Sequence, residues 1–131
     1  MTVVDASVVV AALIDTGPFG RWAEGVLASG SLSAPHLLHI EVANVLRRSM
    51  AAGQISPDTA SLAHADLLSL RVELFDYPTC AARVWELRST HTAYDAWYVA
   101  LAELLGSRLA TLDLRLSRSP GARCEFDVPH V

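Results

Sequence analysis

The sequence predicts an α/β protein, with a three-layer α/β/α fold around a mainly parallel central sheet. Short apolar segments typical of buried strands alternate with longer segments of helical spacing, which indicates parallel strands joined by helices. The chain has 131 residues, which fits a single domain over positions 1–131. Hydrophobic residues make up 52% of it, above the roughly 45–50% of an average protein, so we expect a partner to cover part of the apolar surface.

The N-terminal segment predicts one strand and two helices. A buried strand covers Thr2–Val4 and passes directly into an apolar helix over residues 6–14. A second helix follows, because Pro18 suits the first turn of a helix and Gly30 suits a helix end.

The next segment predicts one strand and two further helices. A short strand lies near Leu32, after which Pro35 is expected to start a helix and Gly53 to end it. The following helix begins at Ser56, which suits the N-cap position, with Pro57 at the first helical position.

The second half of the chain repeats the alternation of strands and helices. Each segment has the apolar pattern of one of the two element types, and Gly106 marks a helix end. The predicted elements are a strand over 71–78, a helix over 79–91, a helix over 92–106, a strand over 108–113, a short helix over 114–118 and a last strand over 124–128.

Two aspartates come directly after predicted strands. Asp5 follows the first strand, and Asp113 takes the equivalent position after the segment 108–111. Because the carboxyl ends of parallel strands meet at one edge of a sheet, where ligand sites form, both acids are expected at that edge. Either aspartate taken alone is better explained as the N-cap of the helix that follows it.

Glu41 lies on the apolar side of its predicted helix. It shares a stripe, with spacings of three and four, with residues that are mostly apolar: Leu37, Leu38, Val45 and Arg48. A glutamate on a buried stripe must be paired, protonated or bound to a metal ion. Asn44 lies on a neighbouring stripe, where it is able to support a polar site.

Asp95 has both a structural and a functional interpretation. With Thr92 it forms a candidate capping box, in which Thr92 caps the helix and Asp95 lies three residues inside it. Asp95 also aligns with Val99 and Ala102 on the inward side of the same helix. The two interpretations are compatible.

Four acids from separate elements are therefore expected at one edge of the sheet. Two carboxylates about 5 Å apart repel by roughly 3 kcal/mol at an effective dielectric constant of about 20, so a positive group must offset the repulsion. The chain has no lysine, since all ten of its basic residues are arginines, and an arginine would close the site permanently. The all-oxygen set favours Mg²⁺ or Mn²⁺ over zinc. Such a site activates water for phosphodiester hydrolysis.

The absence of lysine also excludes rival classes of protein. Phosphatases with an aspartyl nucleophile, phosphate-accepting receiver domains and phosphate-loop enzymes normally need a lysine. A non-catalytic protein-interaction or RNA-binding α/β module stays open, although it leaves Glu41 unexplained. No segment approaches a membrane span or a signal peptide, and the two cysteines are expected to be unpaired, so we expect a cytoplasmic protein.

Four blocks of the sequence resemble the signature segments of PIN-domain nucleases, and most closely those of VapC toxins from bacterial toxin–antitoxin pairs. The resemblance runs from Val3 to about Ser117, in the blocks VVDASVVVAAL, IEVANVLRR, TAYDAWYVALAELLG and RLATLDLRL. It implies a PIN-like fold in which four acids bind metal and are catalytic: Asp5, Glu41, Asp95 and Asp113. It also implies that Ser7 and Thr111 are hydroxyl neighbours that support these acids.

The resemblance further implies an endoribonuclease toxin of a type II toxin–antitoxin system. Metal-activated water would cleave single-stranded RNA and leave a 5′-phosphate and a 3′-hydroxyl. VapC-like proteins usually form homodimers and are silenced by a VapB-like antitoxin, whose C-terminal peptide packs along a groove near the acids.

Contacts to RNA must come from local rather than overall charge, because the net charge of the chain is −4. The candidates are two pairs of arginines, which are explained at least as well as solvated residues near helix ends: Arg47 and Arg48, and Arg115 and Arg118. The five histidines show no ligand spacing and receive no role.

Overall fold

The computed structural model describes residues 1–130, which form five strands and seven helices in the predicted order. The elements are β1 (Thr2–Val4), α1 (Ala6–Ile14), α2 (Pro18–Ala28), β2 (Leu32–Pro35), α3 (Leu38–Ala51), α4 (Pro57–Ser69), β3 (Glu73–Phe75), α5 (Tyr77–Glu86), α6 (Ala93–Leu105), β4 (Arg108–Ala110), α7 (Leu114–Ser117) and β5 (Phe126–Asp127). No helix within residues 1–130 is long and apolar enough to cross a membrane.

The five strands of the described chain form one parallel sheet in the order β3-β2-β1-β4-β5. The chain moves outward from β1 through β2 to β3, and then returns to the other side of β1 to form β4 and β5. The strand order therefore reverses between β1 and β4, and ligands bind at the carboxyl ends of such a pair in open parallel sheets. The predicted α/β fold with a mainly parallel sheet is confirmed.

The helices form two groups around this sheet. α6 packs across β1, β2 and β4, with α5 against it, while α1 packs against α2, α3 and α4. The buried residues of α6 lie all around its central turns, from Ala96 to Ala102. A helix that is apolar on every side belongs in the core, which explains the nearly continuous apolar sequence of this segment.

The predicted boundary at Pro35 is wrong. Pro35 is the last residue of β2, and α3 begins three residues later at Leu38. A proline lacks the N–H that a strand donates to its neighbour. At the end of β2 the pairing continues through the His36 N–H, which donates to the Phe75 carbonyl at 3.0 Å.

Both predicted boundaries of α5 are also wrong. The helix begins at Tyr77 instead of residue 79, because the Asp76 side chain caps it by accepting the Thr79 N–H at 3.1 Å. The helix ends at Glu86, and residues 87–91 form turns instead of a last helical segment. These turns form one wall of a cavity that also contains Asp95.

Cys80 and Cys124 are both free thiols, as predicted. Burial raises the pKa of the Cys80 thiol and raises that of Cys124 to about 11. Since the thiolate is the nucleophile and the metal ligand, both shifts make the cysteines less reactive.

A largely buried ion pair joins α5, α6 and the loop before β5. Arg83 Nε donates to Glu103 Oε1 at 2.6 Å, and Arg83 Nη2 donates to the Gly121 carbonyl at 2.7 Å. The Arg123 N–H donates to Glu103 Oε2 at 2.7 Å. Burial alone favours a raised pKa for Glu103, but the hydrogen bonds and the charge of Arg83 outweigh it and hold the pKa below its ordinary value.

Replacing Glu103 with alanine is expected to lower the free energy of unfolding by about 2–3 kcal/mol, because Arg83 is left largely buried without its carboxylate partner. The loss is full above pH 4.5, the ordinary pKa of a glutamate, and shrinks as the pH falls below it, since the unfolded chain then takes up the proton first. Urea denaturation at several pH values measures both effects.

Glu125→Ala is the matched control for this prediction. Glu125 pairs with Arg108 at 3.2 Å, but both side chains are mostly exposed, so the loss should stay below about 1 kcal/mol. Equal losses in the two variants would contradict the structural role of the Glu103 pair.

Candidate active site

The pairing of β1 with β4 places Asp5 against Thr111. Val4 lies opposite Ala110 in the register, so the next residues of the two strands leave the sheet side by side at its carboxyl edge. The Asp5 N–H donates to the Ala110 carbonyl at 3.3 Å, which extends the ladder by one residue. The Thr111 hydroxyl then donates to Asp5 Oδ2.

Three donors hold the Asp5 carboxylate, which is only 7% exposed. Oδ1 accepts the Ser7 hydroxyl at 2.5 Å and the Val8 N–H at 3.2 Å, and the second bond makes Asp5 the N-cap of α1. Oδ2 accepts the hydroxyl of Thr111. The Ser7 oxygen also accepts the Leu112 N–H at 3.0 Å, so the Ser7 proton is directed toward Asp5. Both hydroxyls implied by the family resemblance therefore contact this acid.

Glu41 is held by a tyrosine from α6. The Tyr98 hydroxyl donates to Glu41 Oε1 at 2.6 Å, and Tyr98 is only 2% exposed. Glu41 itself is half-buried, because the deepest stripe of α3 lies one position away: Leu38, Val42 and Leu46. The predicted stripe is therefore displaced by one position, and Arg48 at its end is exposed.

Asp95 and Asp113 lie at the starts of α6 and α7. Thr92 caps α6 by accepting the Asp95 N–H at 3.2 Å, and Asp113 caps α7 by accepting the Leu116 N–H at 3.1 Å. The predicted capping box is only half formed, since no residue within 1–130 donates a hydrogen bond to the Asp95 carboxylate. Arg115 Nη2 lies 4.0 Å from Asp95 Oδ2 and 3.7 Å from Asp113 Oδ2.

The four acids are linked by electrostatic repulsion. Burial raises the pKa of Asp5, and its hydrogen bonds offset only part of that rise. Burial also raises the pKa of Glu41, and the charges of Asp5 and Asp95 add to the rise. The pKa of Asp95 is raised by burial and then by the charge of Asp113. The charges of Asp5 and Asp95 therefore act on Glu41, and the charge of Asp113 acts on Asp95.

These acids are neighbours rather than a closed set of ligands. Within residues 1–130, no three carboxylate, imidazole or thiol side chains come together as a group able to hold a metal ion. All four carboxylates lie at the N-cap or in the first turn of a helix, where backbone N–H groups favour negative charge.

The family of the chain follows from its sequence. Residues 2–121 match the family model of the PIN domain. The chain belongs to the PIN-domain family. The membership suggested by the sequence blocks is confirmed, and the match covers all four acids.

Two relatives align with nearly the whole PIN domain. A VapC ribonuclease of Mycobacterium bovis is 38% identical over 128 residues, which are 98% of this chain and 98% of the relative. Ribonuclease VapC1 of Mycobacterium tuberculosis is 40% identical over 125 residues, which are 95% of this chain and 94% of the relative. The predicted similarity to VapC-type PIN domains is confirmed.

The fold is also that of a solved toxin–antitoxin structure. The crystal structure of VapBC2 from Rickettsia felis, bound to a DNA fragment from its promoter, contains a chain that superposes with a TM-score of 0.67. The superposition covers 97% of each chain at 13% sequence identity, so it shows a shared fold.

The remaining candidate residues predicted from the sequence fall into two sets, one on α3 and one beside the acids. Asn44 and Arg47 are exposed on α3, where Arg47 Nε donates to Asn44 Oδ1 at 3.0 Å, and Arg48 is exposed beside them. Arg115 and Arg118 line a cavity that reaches the acid at the start of α6. The second pair of arginines therefore lies next to the candidate site, and the side chain of Asn44 contacts an arginine rather than an acid.

Two residues at the site are not predicted from sequence patterns. Tyr98 holds Glu41, and its position three residues after Asp95 on α6 is a signal that both face the same way. His91 is buried, with its Nε2 atom 2.8 Å from the Ser119 hydroxyl. No local signal identifies this histidine, because its partner is 28 residues away along the chain.

Replacing Thr111 with valine is expected to lower the free energy of unfolding of this PIN domain by about 2–4 kcal/mol. The change keeps the side-chain shape but leaves the buried Asp5 oxygen without one of its donors and the Asp113 N–H without its acceptor. Thr111→Ser is the control, since it keeps the hydroxyl and loses one methyl group, worth about 1 kcal/mol. Urea denaturation compares the two, and a valine variant as stable as the serine variant would refute the role of the hydroxyl.

Proposed function

We propose that this PIN domain is a metal-dependent endoribonuclease that hydrolyses phosphodiester bonds of single-stranded RNA, and that it acts as the toxin of a type II toxin–antitoxin pair. One observation carries the proposal. Thr111 contacts both Asp5 and the Asp113 N–H at the β1–β4 edge, Arg115 lies within 4.0 Å of Asp95 and Asp113, and the chain is 38% identical to a VapC ribonuclease over nearly its full length. The proposed cofactor is Mg²⁺ or Mn²⁺.

The chemistry of the site fits a hard divalent cation. Its converging acids offer carboxylate oxygens, and Glu41 Oε2 and the Asp95 carboxylate accept no hydrogen bond from residues 1–130. Burial is the first cause of the raised pKa values of Asp5, Glu41 and Asp95, and repulsion by neighbouring acids adds to it for Glu41 and Asp95. A cation bound among these carboxylates would stabilise their charged forms. Mg²⁺ usually binds through one or two carboxylates and keeps several waters, so a closed set of three protein ligands is not required.

The four acids would hold the ion, and hydroxyl groups of the chain orient two of them. A bound divalent cation lowers the pKa of a coordinated water and neutralises charge on a phosphate. Asp5 is fixed by Ser7 and Thr111, so its direction is set before RNA arrives. Tyr98 fixes Glu41 in the same way. Preorganised groups of this kind need little rearrangement when the reaction occurs.

Arg115 is the arginine that we assign to the phosphate at the acids. Its side chain is 85% exposed, and its Nη2 atom already lies within 4.0 Å of Asp95 and Asp113. A guanidinium at this distance from the acids can reach an oxygen of a phosphate bound there.

The partners follow from the same proposal. The Rickettsia felis structure contains VapBC2, which supports a VapB-like antitoxin as the partner of this chain. Several large apolar side chains are between 45% and 70% exposed and offer surface for the antitoxin and for a homodimer: Phe19, Ile40, Leu62 and Leu68. The proposed location is the cytoplasm.

Asp5→Asn and Asp95→Asn are each expected to slow RNA cleavage by at least about 100-fold, because each removes a charge from the site. Asp58→Asn is the matched control, since Asp58 is an exposed acid in the first turn of α4 and should leave cleavage unchanged. Cleavage of a labelled single-stranded RNA is followed on a gel, with thermal melting to check folding. Normal cleavage by folded Asp5→Asn would falsify the mechanism, and a non-catalytic module would show no cleavage by any of the proteins.

Mg²⁺ or Mn²⁺ is expected to raise the Tm of the wild-type protein by roughly 5–10 °C at about 100 times the Kd of the ion, because a ligand that binds only the folded state stabilises it. Asp58→Asn should show the same shift, whereas Asp5→Asn should show little or none. Thermal melting with and without the ion measures the shift. A shift of equal size in all three proteins would mean that the ion binds elsewhere.

A further inference from the structure

A cavity of about 870 Å³ opens beside Asp95, between two loops. One wall consists of the turns between α5 and α6 and carries Arg88 and His91. The other wall consists of α7 and the loop after it and carries Arg115 and Arg118. We call this cavity the arginine pocket. Its volume lies within the roughly 300–1,000 Å³ of sites that bind small ligands.

The arginine pocket carries a surplus of positive charge. Three arginines line it against one acid, Asp95, although the net charge of the chain is −4. Within residues 1–130, Arg118 has no carboxylate partner, and Arg88 donates only to the carbonyl of Trp85, at 2.8 Å. Two arginines outside the pocket are instead bound to glutamates: Arg83 and Arg108. Arg115 lies near Asp95 and Asp113, so the guanidinium groups available for a further anion are those of Arg88 and Arg118.

His91 fastens the two walls of the pocket together. Its ring is 9% exposed, with Nδ1 2.8 Å from the Thr90 hydroxyl and Nε2 2.8 Å from the Ser119 hydroxyl. The Ser119 hydroxyl in turn donates to the Leu116 carbonyl at 2.7 Å, so this hydrogen-bonded chain reaches α7. A pocket with fixed walls loses little conformational entropy when a ligand enters it.

The groups at the pocket match the chemistry of a nucleotide. Guanidinium groups bind phosphate oxygens through two parallel hydrogen bonds. Arg88 also lies over the ring of Trp85, 4.8 Å from its centroid, and Trp85 is 65% exposed. An exposed aromatic ring next to arginines provides a stacking surface for an unpaired base. Because the pocket begins at Asp95, a strand with one phosphate at the acids can continue into it.

We propose that the arginine pocket binds the RNA strand next to the cleaved bond, with Arg88 and Arg118 contacting a neighbouring phosphate. The inference rests on the proposed ribonuclease function and extends it to the nucleotides that flank the reaction. Arg88 belongs to neither pair of arginines that the sequence suggests as RNA contacts, because its place in the pocket depends on the turns after α5.

The test measures RNA binding without cleavage. Asp5→Asn protein is titrated against a short, fluorescently labelled single-stranded RNA at several salt concentrations, with Glu41→Gln as a second background should Asp5→Asn not fold. Arg88→Gln and Arg118→Gln are each expected to weaken binding by about 3- to 10-fold and to reduce the slope of log affinity against log salt by about 0.7. Arg108→Gln is the matched control. It loses the same charge, but at the first residue of β4, away from the carboxyl ends of the strands, and should bind RNA like its parent.

Three results would overturn the proposal. The first is equal affinity and salt slope for the two pocket variants and the Arg108→Gln control. The second is the absence of RNA binding by the cleavage-deficient protein. The third is an unchanged RNA affinity in pocket variants that lose affinity for an oligoglutamate peptide, which would assign the pocket to an acidic protein partner. The ribonuclease proposal is tested separately, because normal cleavage by Asp5→Asn would refute it. If only the pocket proposal is wrong, cleavage still depends on Asp5.

Discussion

The candidate site depends on the parallel pairing of β1 with β4. This pairing aligns Val4 with Ala110 and so brings Asp5 and Thr111 to adjacent positions at the carboxyl edge of the sheet. Successive side chains of a strand point to opposite faces, so a slip of one residue would turn the Thr111 hydroxyl away from the carboxylate. The register is held by residues that are completely buried: Val3, Val4, Leu109 and Ala110. The packing of the core therefore determines where the oxygen atoms of the site lie.

Helix capping and the chemistry of the site use the same side chains. Asp5 caps α1 through Oδ1 while its Oδ2 accepts the Thr111 hydroxyl, and Asp113 caps α7 through Oδ1 while its Oδ2 faces Arg115. The two interpretations of a strand-end aspartate, as a cap or as a functional acid, are therefore compatible. A helix start also carries partial positive charge, which offsets part of the repulsion among neighbouring carboxylates. This is a physical reason for acids to gather where strands pass into helices.

The order of the strands and helices is predicted correctly because short-range sequence signals mark each element. The twelve elements of residues 1–130 follow in the predicted order, because each carries an apolar run, a capping residue or a terminating glycine. The boundary at Pro35 fails because a proline suits both a strand end and a first helical turn. Asp5 and Asp113 are predicted from strand ends and Glu41 from a helical stripe. The contact of Tyr98 with Glu41 is not predicted, since it joins residues 57 positions apart and depends on tertiary packing.

The positions of the arginines explain how a chain with a net charge of −4 would bind the RNA substrate that we propose. The four acids of the site are equal in number to this excess of negative charge. Away from the site, Arg83 and Arg108 are bound to glutamates and offer little to a phosphate. Beside it, Arg115 is held near Asp95 and Asp113 only by long contacts of 3.7–4.0 Å. Neutralisation of these acids by a divalent cation would remove the attraction that holds Arg115, and its guanidinium would then be free to turn toward a phosphate. The same binding event would leave the surrounding surface with a positive field, because the arginines of the neighbouring pocket have one acid among them.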